Sequence, residues 1–169
     1  MCRQRRLVGA GTVNQARPPL AVLVGFIAKL PYSGMALYNL HYVVGLQELG
    51  YDVHYVERVN GPDECYDPSL NTSGNDLAYG LSYARRVLAT VGLDVGHTSI
   101  IDFDGRCHGA GWQALGQILA RADLVLTVAD LTWFDELAAC ETRLFVDGAR
   151  SRARARRVPG EPDPWLDVP

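Results

Sequence analysis

The feature that most constrains this chain is an apolar run without polar alternation, Leu20-Ala-Val-Leu-Val-Gly-Phe-Ile27, with a helix-period stretch and a second apolar run behind it. A strand lacking in/out alternation is covered on both faces, as central strands of parallel sheets are. The loop Ala28–Met35 carries Pro31, Ser33 and Gly34, and the segment Ala36–Leu49 that follows is closed by Gly50. Asp52-Val-His-Tyr-Val-Glu57 reads as the second strand, so Leu20–Glu57 forms a βαβ unit. In open sheets of this kind ligands sit outside the carboxyl ends of the strands. The expected working surface is therefore Lys29–Tyr38 and the neighbourhood of Glu57.

The same alternation continues. Leu37, Leu40, Val43 or Val44, and Leu49 read as the apolar side of the first helix, with Ser33 its best-placed cap and Gly50 its stop. Asn60–Asn75 is rich in Gly, Pro, Asp and Asn and reads as a long surface loop. Leu77, Leu81, Ala84, Leu88 and Val91 form one stripe of a helix over Asp76–Val91, which Gly92 ends. Ser99–Phe103 reads as a third strand and Gly105–Gly111 as a connecting turn. Trp112, Leu115, Leu119 and Ala122 mark a third helix. Leu124–Val128 and Arg143–Val146 read as the fourth and fifth strands, with a short helical turn over Thr132–Cys140 between them.

This pattern predicts an α/β fold, a doubly wound parallel five-stranded sheet with Rossmann-like character. Right-handed crossovers give it the order 3-2-1-4-5. The expected organisation is a basic flexible leader at 1–19, one domain at 20–148 and an Arg/Pro-rich disordered tail at 149–169.

Charge sharpens the functional reading. Residues 18–149 hold 7 basic and 16 acidic side chains, a net of −9, which argues against nucleic-acid binding by the folded domain. The arginines concentrate in residues 1–17 and in Arg150–Arg157. Cys2, Cys65, Cys107 and Cys140 are scattered without a C-x-x-C pair, so no metal site is expected and free thiols in a reducing cytoplasm are the default. No segment has the length of a transmembrane helix. A basic start before an apolar run outlines a signal peptide, but Lys29 follows directly and no small-x-small cleavage site appears.

The familiar nucleotide motifs are missing. Leu7-Val-Gly-Ala-Gly11 imitates the start of a dinucleotide fingerprint, but no helix pattern follows and Arg17-Pro-Pro19 breaks the chain. The first loop of the βαβ unit has the single glycine Gly34, and neither a P-loop nor a nucleophile elbow occurs. Glu57 stands where a ribose-binding acid would stand, or is simply a solvated carboxylate at a strand end. His41, four residues after Leu37, reads as a half-buried histidine at the edge of the core or as a catalytic base.

The order of features resembles the N-terminal half of GT-B glycosyltransferases. The resemblance rests on Gly25-Phe-Ile27, the loop ending Ser33-Gly34, and Leu46-Gln-Glu-Leu-Gly-Tyr-Asp-Val53 running into the second strand. Ala122-Asp-Leu-Val-Leu-Thr-Val128 and Arg143-Leu-Phe-Val-Asp147 are similar to the fourth and fifth strands of that half. The resemblance implies sugar transfer from a nucleotide-sugar donor to an acceptor hydroxyl, with the acceptor bound by the first domain, the donor by the second, and no metal or other cofactor. It implies backbone N–H groups of Ser33 and Gly34 for an anion or hydroxyl, Tyr32 and Tyr38 to stack on a sugar, and Asp130 or His41 as general base. Glu57 and Thr132 complete the candidate substrate-binding set. The sequence turns arginine-rich after its fifth strand, so the expectation is a truncated half, inactive alone, that needs a second domain or partner chain before it handles nucleotide sugar and acceptor together. Two other readings stay open: a non-catalytic Rossmann-like binding or partner domain, and a nucleotide-cofactor oxidoreductase domain retaining NAD or NADP.

Overall fold

The computed structural model describes residues 17–129 and 132–146. Its strands are β1 (Leu20–Val24), β2 (Asp52–Arg58), β3 (Cys65–Asp67), β4 (Thr72–Gly74), β5 (Thr98–Ile101), β6 (Cys107–Gly109), β7 (Leu124–Val128) and β8 (Arg143–Val146). The helices are α1 (Ser33–Glu48), α2 (Ala78–Ala89) and α3 (Trp112–Arg121), with short 3-10 turns at Val95–His97 and Asp135–Ala139. The six-stranded main sheet has the order β6-β5-β2-β1-β7-β8. Its pairs are parallel except β5 with β6. The architecture is α/β and compatible with a Rossmann-like fold.

β1 is central for a simple reason: all five of its residues are buried. Ala21 and Leu23 face a layer built from Ala36, Val43 and Leu46 of α1 and Ala84 and Leu88 of α2. Val22 and Val24 face the opposite layer, with Leu115 and Leu119 of α3, Phe134 and Leu137. Burial of each such Val or Leu side chain contributes roughly 1.5–3 kcal/mol, which is why this run anchors the fold.

Both long helices end in the same way. Gly50, at φ +87°, donates to Gln47 O at 2.9 Å while Tyr51 N–H reaches Leu46 O at 3.0 Å. The pair is a Schellman motif, and its left-handed residue is where glycine costs least. Gly92 and Leu93 repeat it on Ala89 O and Leu88 O.

The structure corrects the expected fold in several places. The sheet has six strands, not five, and its full order adds the antiparallel edge strand β6 to the expected 3-2-1-4-5 series of β5, β2, β1, β7 and β8. Cys107–Gly109, read as part of a connecting turn, pairs antiparallel with β5 and covers that edge of the sheet. The stretch Asn60–Asn75 contains the antiparallel hairpin β3–β4. α1 starts three residues before Ala36, at Ser33, which is its first helical residue and not its cap. Tyr32 occupies the cap position in extended conformation, without a side-chain capping bond. The buried face of α1 is Ala36, Asn39, Val43 and Leu46, whereas Leu37 is 56% and Leu49 75% exposed. Polar Asn39 lies on that face, so a reading by apolarity picked a stripe displaced around the helix. The leader, the tail and Leu7–Gly11 lie outside the described residues.

Two glycines mark close approaches. A Cβ on Gly25 would stand 2.2 Å from Asn39 Oδ1 and 2.7 Å from the Tyr55 ring, and one on Gly80 would stand 1.9 Å from the backbone oxygen of Ala28. Gly45, inside α1, faces open space. Gly25→Ala and Gly80→Ala should each destabilise the protein by about 1–3 kcal/mol or more, through overpacking against atoms that cannot withdraw. Gly45→Ala should stabilise it by about 0.5–1 kcal/mol. Urea denaturation of the three variants checks the contrast.

Candidate functional site

The chain leaves β1, turns through Gly25–Pro31 and enters α1. In this loop three successive backbone N–H groups point toward β2. Ile27 N–H donates to Tyr55 Oη at 2.9 Å, Ala28 N–H to Glu57 Oε2 at 2.8 Å and Lys29 N–H to Glu57 Oε1 at 2.6 Å. Tyr55 Oη itself donates to Glu57 Oε2 at 2.8 Å. Tyr55 and Glu57 share one face of β2 because they are two residues apart on a strand. Both are fully buried. Burial pushes the Glu57 carboxyl up to about 7, against the opposing pull of the Ala28 N–H, the Lys29 charge, the Lys29 N–H and the Tyr55 hydroxyl.

Above this carboxylate lies a shallow cleft of about 210 Å³ lined by Phe26, Lys29, Leu30, Glu64 and Ala129. Phe26 follows β1 and Ala129 follows β7. From β1 the chain continues toward β2 on one side and returns to β7 on the other. The cleft thus sits at the topological switch point, outside the carboxyl ends of the strands, where open α/β sheets bind ligands. Ala129 is left-handed at φ +55°, a conformation costly for a residue with a Cβ and often found at functional rims.

Lys29 is 6% exposed. Its Nζ lies 3.3 Å from Thr132 Oγ1 and 3.7 Å from Glu64 Oε2. Thr132, fully buried, also accepts from Asn60 Nδ2 at 3.2 Å. Asn60 N–H in turn donates to Glu64 Oε2 at 3.0 Å. Aromatic rings cluster nearby: Tyr38 packs on Phe26 of the lining and on Tyr42, and the Tyr32 and Tyr66 rings stack at 4.9 Å. The β3–β4 hairpin is fastened to the loop by Tyr66 N–H on Lys29 O at 2.9 Å. The opening itself is thus lined by a cation, a carboxylate and a ring face, with the Asn60 amide and the buried Thr132 hydroxyl bonded to the charged pair from behind.

None of the residues singled out from sequence as site residues lines this cleft: Glu57 holds the Lys29 N–H, Thr132 meets Lys29 Nζ, Tyr38 packs on Phe26 and Tyr32 stacks on Tyr66. Ser33 and Gly34 form the exposed first turn of α1. Glu57 is not a solvated carboxylate: it is fully buried and holds the loop from behind. His41 is exposed on α1, neither half-buried nor on the core edge. Asp130 lies outside the described residues. Tyr55, Asn60, Glu64 and Tyr66 were missed as site residues. Tyr55 had a signal, its spacing of two from Glu57. Glu64 and Tyr66 had none, because the hairpin that carries them was read as loop.

A second buried polar pair lies under the opposite layer. His54 Nε2 meets Ser99 Oγ at 2.9 Å, with both residues buried. Burial pushes the His54 imidazole down to about 4, aided by repulsion from His97 and opposed by Asp52. Cys65, Cys107 and Cys140 are free thiols. Burial raises all three, Cys65 up to about 11, so none of them is an activated nucleophile. Among the described residues no group of three or more His, Cys, Asp or Glu is placed to hold a metal ion, and no helix is long and apolar enough to cross a membrane.

Compared with known families, with curated proteins and with solved structures, the chain finds no match.

Glu57 and His54 act on stability with opposite signs. Glu57 rises in the fold from about 4.5 to about 7, so its contribution is complete below pH 4.5 and is lost as pH climbs to 7. His54 falls from about 6.5 to about 4, so its contribution is complete above pH 6.5 and is lost as pH drops to 4. Between about pH 4.5 and 6.5 the two slopes oppose each other, each at most about 1.4 kcal/mol per pH unit. Against the wild type, Glu57→Gln should turn the stability profile upward with pH across this window, and His54→Gln should turn it downward. Denaturant midpoints measured from pH 4.5 to 7 test both signs.

Proposed function

We propose that this chain is the acceptor-side, Rossmann-like domain of a GT-B-like glycosyltransferase, which transfers sugar from a nucleotide-sugar donor to an acceptor hydroxyl. The observation that carries the reading is the lining of the cleft at the switch point. Sugars are recognised by ring faces packed on their C–H surfaces and by charged or amide groups on their hydroxyls. Lys29 and Glu64 in the lining supply the second, with Asn60 bonded to Glu64, and the Tyr32–Tyr66 pair next to the lining, with Phe26 in it, supplies the first. The β1–α1 loop adds support of another kind. The N–H groups of Ile27, Ala28 and Lys29, which would cradle a pyrophosphate in a dinucleotide fold, are already held by Tyr55 and Glu57. That weighs against the NAD or NADP reading and supports a scheme in which a second lobe facing this edge would hold the donor phosphates.

Transfer then divides between lobes. This one holds the acceptor hydroxyl, with Tyr38 packed behind Phe26 of the lining and Ser33 and Gly34 exposed at the start of α1. Glu64 lines the cleft and His41 does not, so Glu64 takes the place of the group nearest an acceptor. No metal or other cofactor enters the scheme. The partner-domain reading also has an observation in its favour: among the described residues β8 ends the sheet, and its apolar Leu144 is 53% exposed.

Titration of the purified chain by NMR with methyl glycosides as acceptor probes should move the Tyr32, Tyr66 and Lys29 resonances with affinities of about 1 mM or weaker. Tyr66→Ala should weaken this at least fivefold. UDP- and GDP-sugars should bind no more tightly than the glycosides. Micromolar donor binding by this chain overturns the acceptor-side assignment. Absence of glycoside binding, together with concentration-dependent self-association reduced by Leu144→Lys, would favour the partner domain instead.

A further inference from the structure

α1 is unlike the other two helices. α2 turns Ser82, Arg85 and Arg86 to solvent, and α3 turns Gln113, Gln117 and Arg121. α1 carries apolar residues on every side, and Glu48 is its one Asp, Glu, Lys or Arg. Opposite the buried face Ala36, Asn39, Val43 and Leu46 run the exposed residues Gly34, Leu37, His41, Val44 and Glu48, spaced 3, 4, 3 and 4. That is the spacing of a helix–helix seam, here on the side turned away from the sheet. Leu37 is 56% and Val44 38% exposed, so among the described residues nothing covers it. A helix apolar all round is normally covered all round.

The ends of α1 are arranged against its own dipole. Its first turn holds no acid, its last turn holds no base, and Tyr32 makes no side-chain capping bond. The first N–H groups of a helix have no intrahelical acceptor and favour a carboxylate. Glu48 stands at the opposite end, beside the carbonyl pole, where an acid is disfavoured. Gly34 leaves open space over the first turn. The helix lacks at its start the group it carries at its end.

We propose that the outer face of α1 is the contact between two copies of this chain, paired antiparallel about a two-fold axis at His41. The stripe has matching halves. Gly34 and Glu48 each lie seven residues from His41, while Leu37 lies four before it and Val44 three after it. The axis therefore sets Leu37 of each copy beside Val44 of the other, with the two imidazoles meeting between them. It also sets each Glu48 over the uncapped first turn of the other copy, where the missing side chain of Gly34 lets a carboxylate approach the backbone.

Charge selects this occupant. The arginines at residues 1–17 and 150–157 call for acids, and the face offers one carboxylate. A second copy brings an equally uncharged apolar stripe and one helix end of each polarity. A parallel pair would put the two Glu48 side chains together, so only the antiparallel arrangement is complementary. The contact is modest in size. The 16 residues of α1 span roughly 24 Å, and one helix pair of that length buries less than the about 1,200–2,000 Å² of a stable complex. A dissociation constant on the order of 10–100 μM is expected. The contact uses neither the cleft nor the β8 edge, so it stands or falls separately from the acceptor reading.

Analytical ultracentrifugation of the intact chain at pH 8, from about 1 to 500 μM so as to bracket that constant, tests the pairing. A monomer–dimer equilibrium is expected, weakened at least tenfold by Leu37→Glu and by Val44→Glu and unchanged by Leu144→Lys. Glu48→Lys should weaken the dimer at least threefold, yet leave the urea midpoint of the dilute monomer unchanged or higher, because a base suits the end of its own helix. Circular dichroism checks that each variant is folded, and Val44→Glu carries the test if Leu37→Glu is not. A chain that stays monomeric throughout, a dimer indifferent to the stripe variants, a dimer lost in Leu144→Lys, or one unaffected or tightened by Glu48→Lys overturns the proposal.

Discussion

The contact on which the structure depends is the Glu57 carboxylate closing on the backbone of Ala28 and Lys29. A chain leaving a buried parallel strand carries N–H groups that no neighbouring strand can satisfy, and leaving them unpaired in the interior is costly. Many nucleotide-binding sheets leave such groups for a phosphate. Here the protein fills the place with its own anion, supplied by the adjacent strand. The parallel pairing of β1 and β2 matches Val24 with Val56 and brings Glu57 beside the loop. The charge inside the fold is tolerated because three donors and the Lys29 ammonium surround it.

From that contact the geometry of the cleft follows. The fixed loop directs the Lys29 side chain toward Thr132 beyond β7 and offers its carbonyl to Tyr66 of the hairpin. The hairpin then sets Tyr66 on Tyr32, so α1, the loop and the β3–β4 ribbon meet at one aromatic contact. Gly25 and Gly80 allow this crowding. One leaves room for Asn39 and Tyr55, and the other lets α2 lie against the Ala28 carbonyl. Loss of either clearance would be felt at the cleft as well as in the core.

Much of the fold was legible because its signals are local. The unbroken apolar runs at Leu20–Ile27 and Leu124–Val128 require cover on both faces, and the stripe Leu77–Leu81–Ala84–Leu88 requires a helix. The glycine stops at Gly50 and Gly92 are equally local, since a left-handed residue is needed there. β6 was not legible. Three residues with a glycine among them have no periodicity, and Cys107–Gly109 is a strand only because β5 offers an unpaired edge. The β3–β4 hairpin was hidden for the same reason, and Glu64 and Tyr66 were hidden with it. Asn39 misled in the opposite direction, since a polar residue on the buried face of α1 rotates the apparent stripe.

By itself, the sequence determined that alternating buried strands and amphipathic helices form an α/β layer, and that the first crossover ends near Lys29 and Glu57. Both follow from hydrophobic periodicity, which each segment carries alone. Only the tertiary structure decided that Glu57 faces inward and not toward solvent, that Lys29 meets Thr132 across more than a hundred residues, and that Asn39 Oδ1 is buried without a hydrogen-bond partner among the described residues. Those outcomes depend on strand register and on which chain segments are packed together. The free energy of a buried charge or an orphaned acceptor is set by the groups around it, and no local pattern encodes them.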